Sequence, residues 1–162
     1  MRLCIFVPIT AAEVRDLWLL FSLWHFYFEK RKTSRDFKVD LLLTVSRASQ
    51  ASASLVAEYI NLFELDKQFD HVSVEILEIH PDDDVYFKSI TSAPYIPKLG
   101  IKSGPNLQFF HSMSILESRG YEAVLLNESD AYPVRDDWID LVVEELSLSE
   151  ASPILGSPYL GK

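Results

Sequence analysis

Glu128 and Asp130 are two carboxylates separated by one serine, and they follow directly on a short apolar run, Ala123-Val-Leu-Leu126. A four-residue apolar run reads as a strand in the middle of a parallel sheet, covered on both faces. Asn127, Glu128, Ser129 and Asp130 mark its carboxyl end. Acids two residues apart at that place can direct both carboxylates into the crevice above the strand ends, where open α/β sheets bind ligands. A hard divalent cation takes oxygen ligands and often bridges one or two carboxylates to substrate phosphates. The pair therefore suits metal-assisted binding of a phosphorylated ligand. The same residue types also cap turns at strand ends without any ligand.

Other residues offer weaker chemistry. Ser46, Arg47 and Ser49 follow an apolar run and could contact a nucleotide, or could simply cap the next helix. His80-Pro-Asp-Asp-Asp84 could ligate a metal, although consecutive acids in a loop usually face water and repel one another. Lys102-Ser-Gly-Pro-Asn106 opens a helix with Pro105 in its first turn, and a helix start beside Lys102 and Gly104 suits an anion. Capping alone explains Ser103 and Pro105 equally well. Cys4 is the single cysteine, so there is no disulfide framework and no thiolate metal site. Its place in the first apolar run makes it a buried core thiol.

The elements that must position these groups alternate. Arg2–Ile9 reads as a first buried strand stopped by Pro8. Thr10 and Glu13 form a capping-box pattern at the head of a helix over 11–30. Val14, Leu17, Trp18, Phe21, Trp24 and Phe28 share one face of it, and Leu20, Leu23 and Tyr27 widen the stripe. A helix this apolar is buried on more than one side, by its own domain or by a partner. Val39–Val45 is a second strand, 52–68 a helix with Leu55, Tyr59, Leu62 and Phe63 on one face, and His71–Ile79 a third strand. A long loop with Pro94, Pro97 and Gly100 leads to the helix at Lys102, whose spacing sets Leu107, Phe110, Met113 and Leu116 or Glu117 on one face and which Gly120 stops. After the strand that carries the acids, Asp136 and Asp137 cap a helix to about Leu146 with Trp138, Leu141 and Val142 inward. Ala151–Leu155 reads as a final strand. The fold class is α/β, a mostly parallel sheet flanked by helices on both faces, with right-handed crossovers.

Bulk numbers narrow the partners. The 162 residues suffice for one domain, spanning residues 1–162, and not comfortably for two. Apolar residues at 48% and charged residues at 24% are ordinary for a soluble globular protein. A formal charge of −9 argues against nucleic acid or an anionic membrane as the main partner. It also means that an anionic substrate needs a cation or local Lys and Arg to offset repulsion. The most apolar window, 17–28, is too short to span a membrane and contains His25, and no cleavable signal is visible, so the expected location is cytoplasmic.

Several chemistries drop out. No Gly-x-Gly-x-x-Gly follows the first strand, no Gly-x-x-x-x-Gly-Lys-Ser/Thr loop occurs, and no Gly-x-Ser-x-Gly elbow occurs. The first strand has no aspartate at its end, which disfavours phosphoaspartate chemistry. With those gone, the chain resembles the nucleotide-binding half of a GT-A fold glycosyltransferase, in the nucleotide-diphospho-sugar transferase superfamily. Glu128-Ser129-Asp130 resembles the Asp-x-Asp motif, with Glu in place of the first Asp. The flanking helix from Lys102-Ser-Gly-Pro-Asn106, Pro133 and Asp137-Trp138-Ile-Asp140 strengthen the likeness.

The resemblance implies a Rossmann-like GT-A nucleotide-sugar-binding half and a metal-dependent transfer of a sugar from a UDP- or GDP-sugar to an unknown acceptor. It implies Mn²⁺ or Mg²⁺ held by Asp130 as the main contact and Glu128 as a second. Pro8, Ile9 and Thr10, with Ser46 and Arg47, fall where the family contacts base and ribose, and Lys102 and Asn106 fall on the sugar or phosphate side. An acceptor-binding half, with the usual catalytic base, would follow near Leu155, so the chain reads as a truncated, N-terminal portion and its catalytic residues are unknown. A reading of another class is a non-catalytic, degenerate binding or assembly module, with the apolar first helix as a homodimer face. A metal-dependent phosphohydrolase ranks last, because it needs more ligands than one triplet supplies.

Overall fold

The computed structural model describes residues 1–30, 37–87, 89–97 and 99–148. Four strands, β1 (Arg2–Thr10), β2 (Lys38–Ser46), β3 (His71–Leu77) and β4 (Ala123–Leu126), pair all-parallel in the order β3-β2-β1-β4. Five helices accompany them among the described residues: α1 (Leu17–Lys30), α2 (Gln50–Leu62), the single-turn α3 (Leu65–Gln68), α4 (Ser103–Ser118) and α5 (Trp138–Leu148). The α/β class and the parallel sheet with helices on both faces are therefore as expected. The candidate strand at 151–155 lies outside the described residues.

Alternation along β1 and β2 separates the two faces. Leu3, Ile5, Val7 and Ile9, with Val39, Leu41, Leu43 and Val45, point one way and meet Leu17, Leu20, Phe21 and Trp24 of α1, Val56 of α2 and Ile139 of α5. The Trp24 and Trp138 rings stack there with centroids 5.7 Å apart. Burying such side chains contributes about 1.5–3 kcal/mol each. The opposite face holds a smaller cluster, Cys4, Phe6, Leu42 and Leu116, under α4.

Several local expectations change. Pro8 does not stop β1, which runs on to Thr10. The carbonyls of Arg2 and Phe6 accept from Glu122 and Asn127 on the β4 side, so by alternation Pro8 also faces that side, past the last β1–β4 pair at Phe6–Leu126. Its missing N–H falls where β4 has already stopped pairing. Helix α1 starts later than expected: Glu13–Arg15 is a 3₁₀ turn, and the Glu13 carboxylate accepts from Thr10 N (2.7 Å) and Thr10 Oγ1 (2.8 Å). Trp18 turns outward at 49% exposure, as does Phe26, so the aromatic stripe is only partly core. Helix α2 ends at Leu62 because Glu64 adopts a left-handed conformation (φ 50°), and Leu62 is exposed. Ser49 caps α2 reciprocally with Ser52.

Two corrections bear on the site. Among the described residues β4 is the outermost strand on its side, and Val124 and Leu126 are exposed, so it is not covered on both faces as expected. A four-residue apolar run has no period long enough to distinguish those positions. On α4 the buried stripe is Gly104, Gln108, Ser112 and Leu116, while Phe110 is 59% exposed. Small residues let the helix approach the sheet, and polar ones satisfy groups there, which outweighs the burial that Phe110 would gain. Leu141 of α5 likewise lies outward, with Ile139 taking the buried place.

Two outcomes follow. Ser112→Leu should destabilise by about 1–3 kcal/mol through overpacking, whereas Phe110→Ser should stay within about 0.5 kcal/mol. Urea denaturation of the two variants checks this, and the reverse ranking would refute the stripe. Burial also pushes the Cys4 thiol from 9.0 up to about 12. A thiol whose folded pKa is raised contributes stability that is complete below the unfolded pKa and lost as pH rises through the folded one. Stability measured from pH 8 to 11 should therefore fall less steeply in Cys4→Ala than in the native chain.

Candidate functional site

The switch point of the sheet lies between β1 and β4. From β1 the chain moves to β2 and β3 on one side, and α4 returns it to β4 on the other. The loops that leave the carboxyl ends of β1 and β4 border the crevice there. The last β1–β4 rung is Asn127 N to Phe6 O (2.9 Å), Pro8 has no N–H to offer the next one, and the two chains part beyond it.

Glu128, Ser129 and Asp130 sit on that divergence. Both acids are exposed and Ser129 between them is buried, so the alternation sends the carboxylates to solvent on either side of an anchored serine. The turn is stapled by Asn127, whose Nδ2 donates to Glu128 O (2.8 Å) and Ala131 O (3.2 Å), and Ala131 N donates to Glu128 O (3.0 Å). Asp137 stands immediately before α5, at the expected cap position, and its carboxylate takes both Nε and Nη2 of Arg135, which holds it below the usual range. Among the described residues no three His, Cys, Asp or Glu side chains gather as a ready-made metal cage.

On the other side of β1, the ends of β2 and β3 converge on the start of α4. Arg47 follows β2 in a left-handed conformation (φ 56°), uncommon for a residue with a side chain. Its Nε lies 3.0 Å from Asp84 Oδ2, and its Nη2 donates to Asp84 O. Asp84 is buried, unlike Asp82 of the same acidic run, which faces water as consecutive acids usually do. The other oxygen of Asp84 presses on the first turn of α4: a Cβ on Gly104 would stand 2.5 Å from Oδ1. Gly104 N donates to Val85 O (3.0 Å). The protein's own carboxylate thus stands beside the helix N-terminus that the sequence suggested for an anion.

One turn further along α4, the buried Gln108 amide donates to Ile9 O (2.8 Å) and Thr44 O (3.1 Å), and its Oε1 lies 3.5 Å from Ser46 Oγ. Ser112 Oγ meets Thr44 Oγ1 at 3.0 Å and donates to Gln108 O. Ser103 Oγ is buried and finds no hydrogen-bond partner among the described residues.

The residues expected at a nucleotide site therefore divide. Thr10, Ser46 and Arg47 gather at neighbouring strand ends, with Thr10 in register with Ser46. Ile9 is core, so it brings no side chain to the crevice, and Pro8 marks where the crevice opens. Lys102 is exposed with its Nζ 5.3 Å from the Tyr86 ring centroid, and Asn106 Nδ2 is tied to Leu99 O (3.2 Å). Glu128 and Asp130 stand across β1 from Arg47, and two strand spacings amount to roughly 10 Å. Gln108 was not singled out by sequence reasoning, Asp84 was read only within an acidic run that could ligate a metal, and Gly104 only within a helix start suited to an anion. Only the unusual Gly104-Pro105 start carried a signal, and nothing distinguished Asp84 from its acidic neighbours.

No protein-family model, no curated protein and no solved structure matches this chain.

Gly104→Ala tests the convergence. Alanine is the better helix former by about 0.5–1 kcal/mol, yet the clash with Asp84 should make the variant less stable by about 1–3 kcal/mol. In an Asp84→Ala background the same change should become nearly neutral or stabilising. A double-mutant cycle by thermal or urea unfolding gives the coupling, and additive effects would place Asp84 elsewhere.

Proposed function

We propose that this chain binds a nucleoside-diphosphate sugar, as the donor-binding portion of a metal-dependent glycosyltransferase with a GT-A type of nucleotide-binding domain. The observation that carries the reading is the pair of exposed carboxylates, Glu128 and Asp130, flanking buried Ser129 where β1 and β4 diverge at the switch point. Two carboxylates without a protein cage fit a cation of the Mg²⁺ or Mn²⁺ kind, which keeps waters and completes its shell with substrate phosphate oxygens. Asp130 and Glu128 would hold it. A bound cation would offset the charge of the diphosphate and the charge that develops as that group leaves.

The rest of the work falls to the chain. The Asn127 staple fixes the turn, so both carboxylates are presented without reordering at the moment of binding. The roughly 10 Å from β4's end to β2's end suits a ligand whose diphosphate lies at one and whose nucleoside reaches the other. The formal charge of −9 favours a cation at this place, since the bare acidic turn would repel a phosphate.

A second reading is supported by α1. No charged residue occurs from Leu17 to Phe28, and Trp18, Leu19 and Phe26 face outward. Aromatic, charge-poor surface is what interface centres are made of. On that reading the chain is a non-catalytic assembly module that dimerises through α1. No helix among the described residues is long and apolar enough to cross a membrane.

Titration calorimetry of UDP and GDP, with and without Mn²⁺, separates the two. Binding that requires Mn²⁺, and that Asp130→Asn weakens at least about tenfold while the circular dichroism is unchanged, is the expected result. Equal Mn²⁺-dependent affinity in a folded Asp130→Asn variant would remove the donor-site reading. Silence with every nucleotide, together with a dimer that Trp18→Asp dissolves, would favour the assembly module.

A further inference from the structure

Charge is not spread evenly along this chain. Val85–Leu116 contains none of the 24 Asp and Glu residues, yet it holds Lys88, Lys98 and Lys102. The formal charge of −9 is therefore an average over an acidic body and one basic stretch. It argues against an anionic partner only at long range. A docking surface answers to the charges within about a Debye length, roughly 8 Å at physiological ionic strength. The same stretch leaves large apolar side chains in water: Tyr86 is 56% exposed, Ile90 66% and Ile96 63%, and Tyr95 and Leu99 are exposed as well.

The loop between β3 and α4 is held together by its own contacts. Phe87 N donates to Ile101 O (2.7 Å), the Phe87 and Tyr95 rings meet edge to face at 5.6 Å, and Tyr95 Oη donates to Asp82 O (2.7 Å). Ile90–Ser92 form a 3₁₀ turn that Ser89 and Ser92 cap reciprocally, and Asn106 Nδ2 donates to Leu99 O (3.2 Å). Lys102 Nζ stands 5.3 Å from the Tyr86 ring centroid. These contacts fix a loop whose isoleucines would gain from burial and are given none. Apolar surface of this kind, rimmed by polar groups, marks a protein or a membrane contact. Composition separates the two. Protein interfaces are depleted in Lys and enriched in Arg and Trp, and Val85–Leu116 has neither Arg nor Trp. Tyr rings at headgroup level, aliphatic tips in the acyl boundary and Lys ammonium groups at lipid phosphates are what a bilayer interface accepts.

We propose that the loop between β3 and α4 docks the chain on an anionic bilayer surface. Ile90 and Ile96 enter the boundary between headgroups and acyl chains, and Lys102 with the two other lysines of the stretch supplies the attraction to lipid phosphates. Both signals are needed, since a few aliphatic tips or three lysines alone hold a protein to a membrane only weakly. The neighbouring acids set the limits of the surface. Asp82 and Asp83 border it, and Asp84 is paired with Arg47. Glu128 and Asp130 follow the far strand of the sheet, roughly 14 Å from the end of β3 where the loop begins. The assignment stands apart from the donor-site reading and does not depend on it.

Vesicle flotation of the full chain tests this, in EDTA so that no cation bridges the acidic turn to lipid phosphates. The chain should bind equimolar phosphatidylcholine–phosphatidylglycerol vesicles and not phosphatidylcholine alone, and added salt should release it. Ile90→Ser with Ile96→Ser changes exposed positions, so the fold should hold while binding weakens at least about tenfold. Lys88→Gln, Lys98→Gln and Lys102→Gln together should weaken it about a hundredfold. Trp18→Asp, on α1, should bind as the native chain does. No binding by the folded native chain overturns the proposal. So does equal binding by the loop variants, or binding that Trp18→Asp alone removes. If the chain ignores the vesicles but binds soluble poly-glutamate through the same lysines, its partner is an acidic polypeptide and the bilayer assignment fails.

Discussion

The carboxyl edge of the sheet depends on one buried amide. Gln108 donates from α4 to the carbonyls of Ile9 and Thr44 on the two central strands. Both carbonyls belong to the parallel ladder, so the amide uses their second lone pairs and no rung is lost. Hydrogen bonds are directional in a way that apolar contact is not, so two of them set the height and rotation of α4 against the sheet. That height determines where the first turn of α4 lies, and so where Gly104 meets Asp84. An apolar seam of the same area would let the helix slide until shape alone stopped it.

The lower end of α4 is fixed by charge. Arg119, just past the helix, donates Nη1 to Ser73 Oγ (2.6 Å) and pairs with Glu75, while its carbonyl accepts from Arg2 Nη1 (2.9 Å). Arg2 in turn meets Asp40 at 2.7 Å. These contacts bind α4 to β1, β2 and β3 at once, and they put charged groups on β3, the outermost described strand on its side, as protected edge strands commonly have. The α1 face is the opposite case, a continuous packing of Leu, Ile, Val, Phe and Trp that contributes most of the burial. One face holds the fold together and the other is adjusted by polar contacts to serve the strand ends.

That asymmetry explains what the sequence could and could not reveal. Strands rich in Val, Leu and Ile, and the Gly120 stop after α4, were legible because local patterning and backbone chemistry decide them. The turn bearing Glu128 and Asp130 was legible for the same reason, since apolar residues give way abruptly to polar ones. The inward face of α4 was not, because its stripe of Gly104, Gln108 and Ser112 is small or polar and gives no hydrophobic period, while Phe110 offers a false one. Asp84 could not be told from Asp82 and Asp83, since its burial is conferred by Arg47, 37 residues away. The outermost position of β4 among the described strands is a property of topology, to which four residues contribute nothing. Local rules reach the elements; they do not reach the contacts between segments that make a site.

The left-handed Arg47 joins these strands of reasoning. A glycine would occupy that turn without strain, so an arginine there must be stabilised by what its side chain reaches. What it reaches is a buried carboxylate whose other oxygen borders the start of α4. Each member of the trio needs the others: Gly104 is required by the carboxylate, the carboxylate by Arg47, and the conformation of Arg47 by the carboxylate. Such mutual dependence locks the ends of β2 and β3 and the start of α4 into one arrangement. The end of β4 lies outside this lock and depends instead on the Asn127 staple, so the two margins of the crevice are fixed independently. Independently fixed margins give a set span between the acidic turn after β4 and the turn after β2.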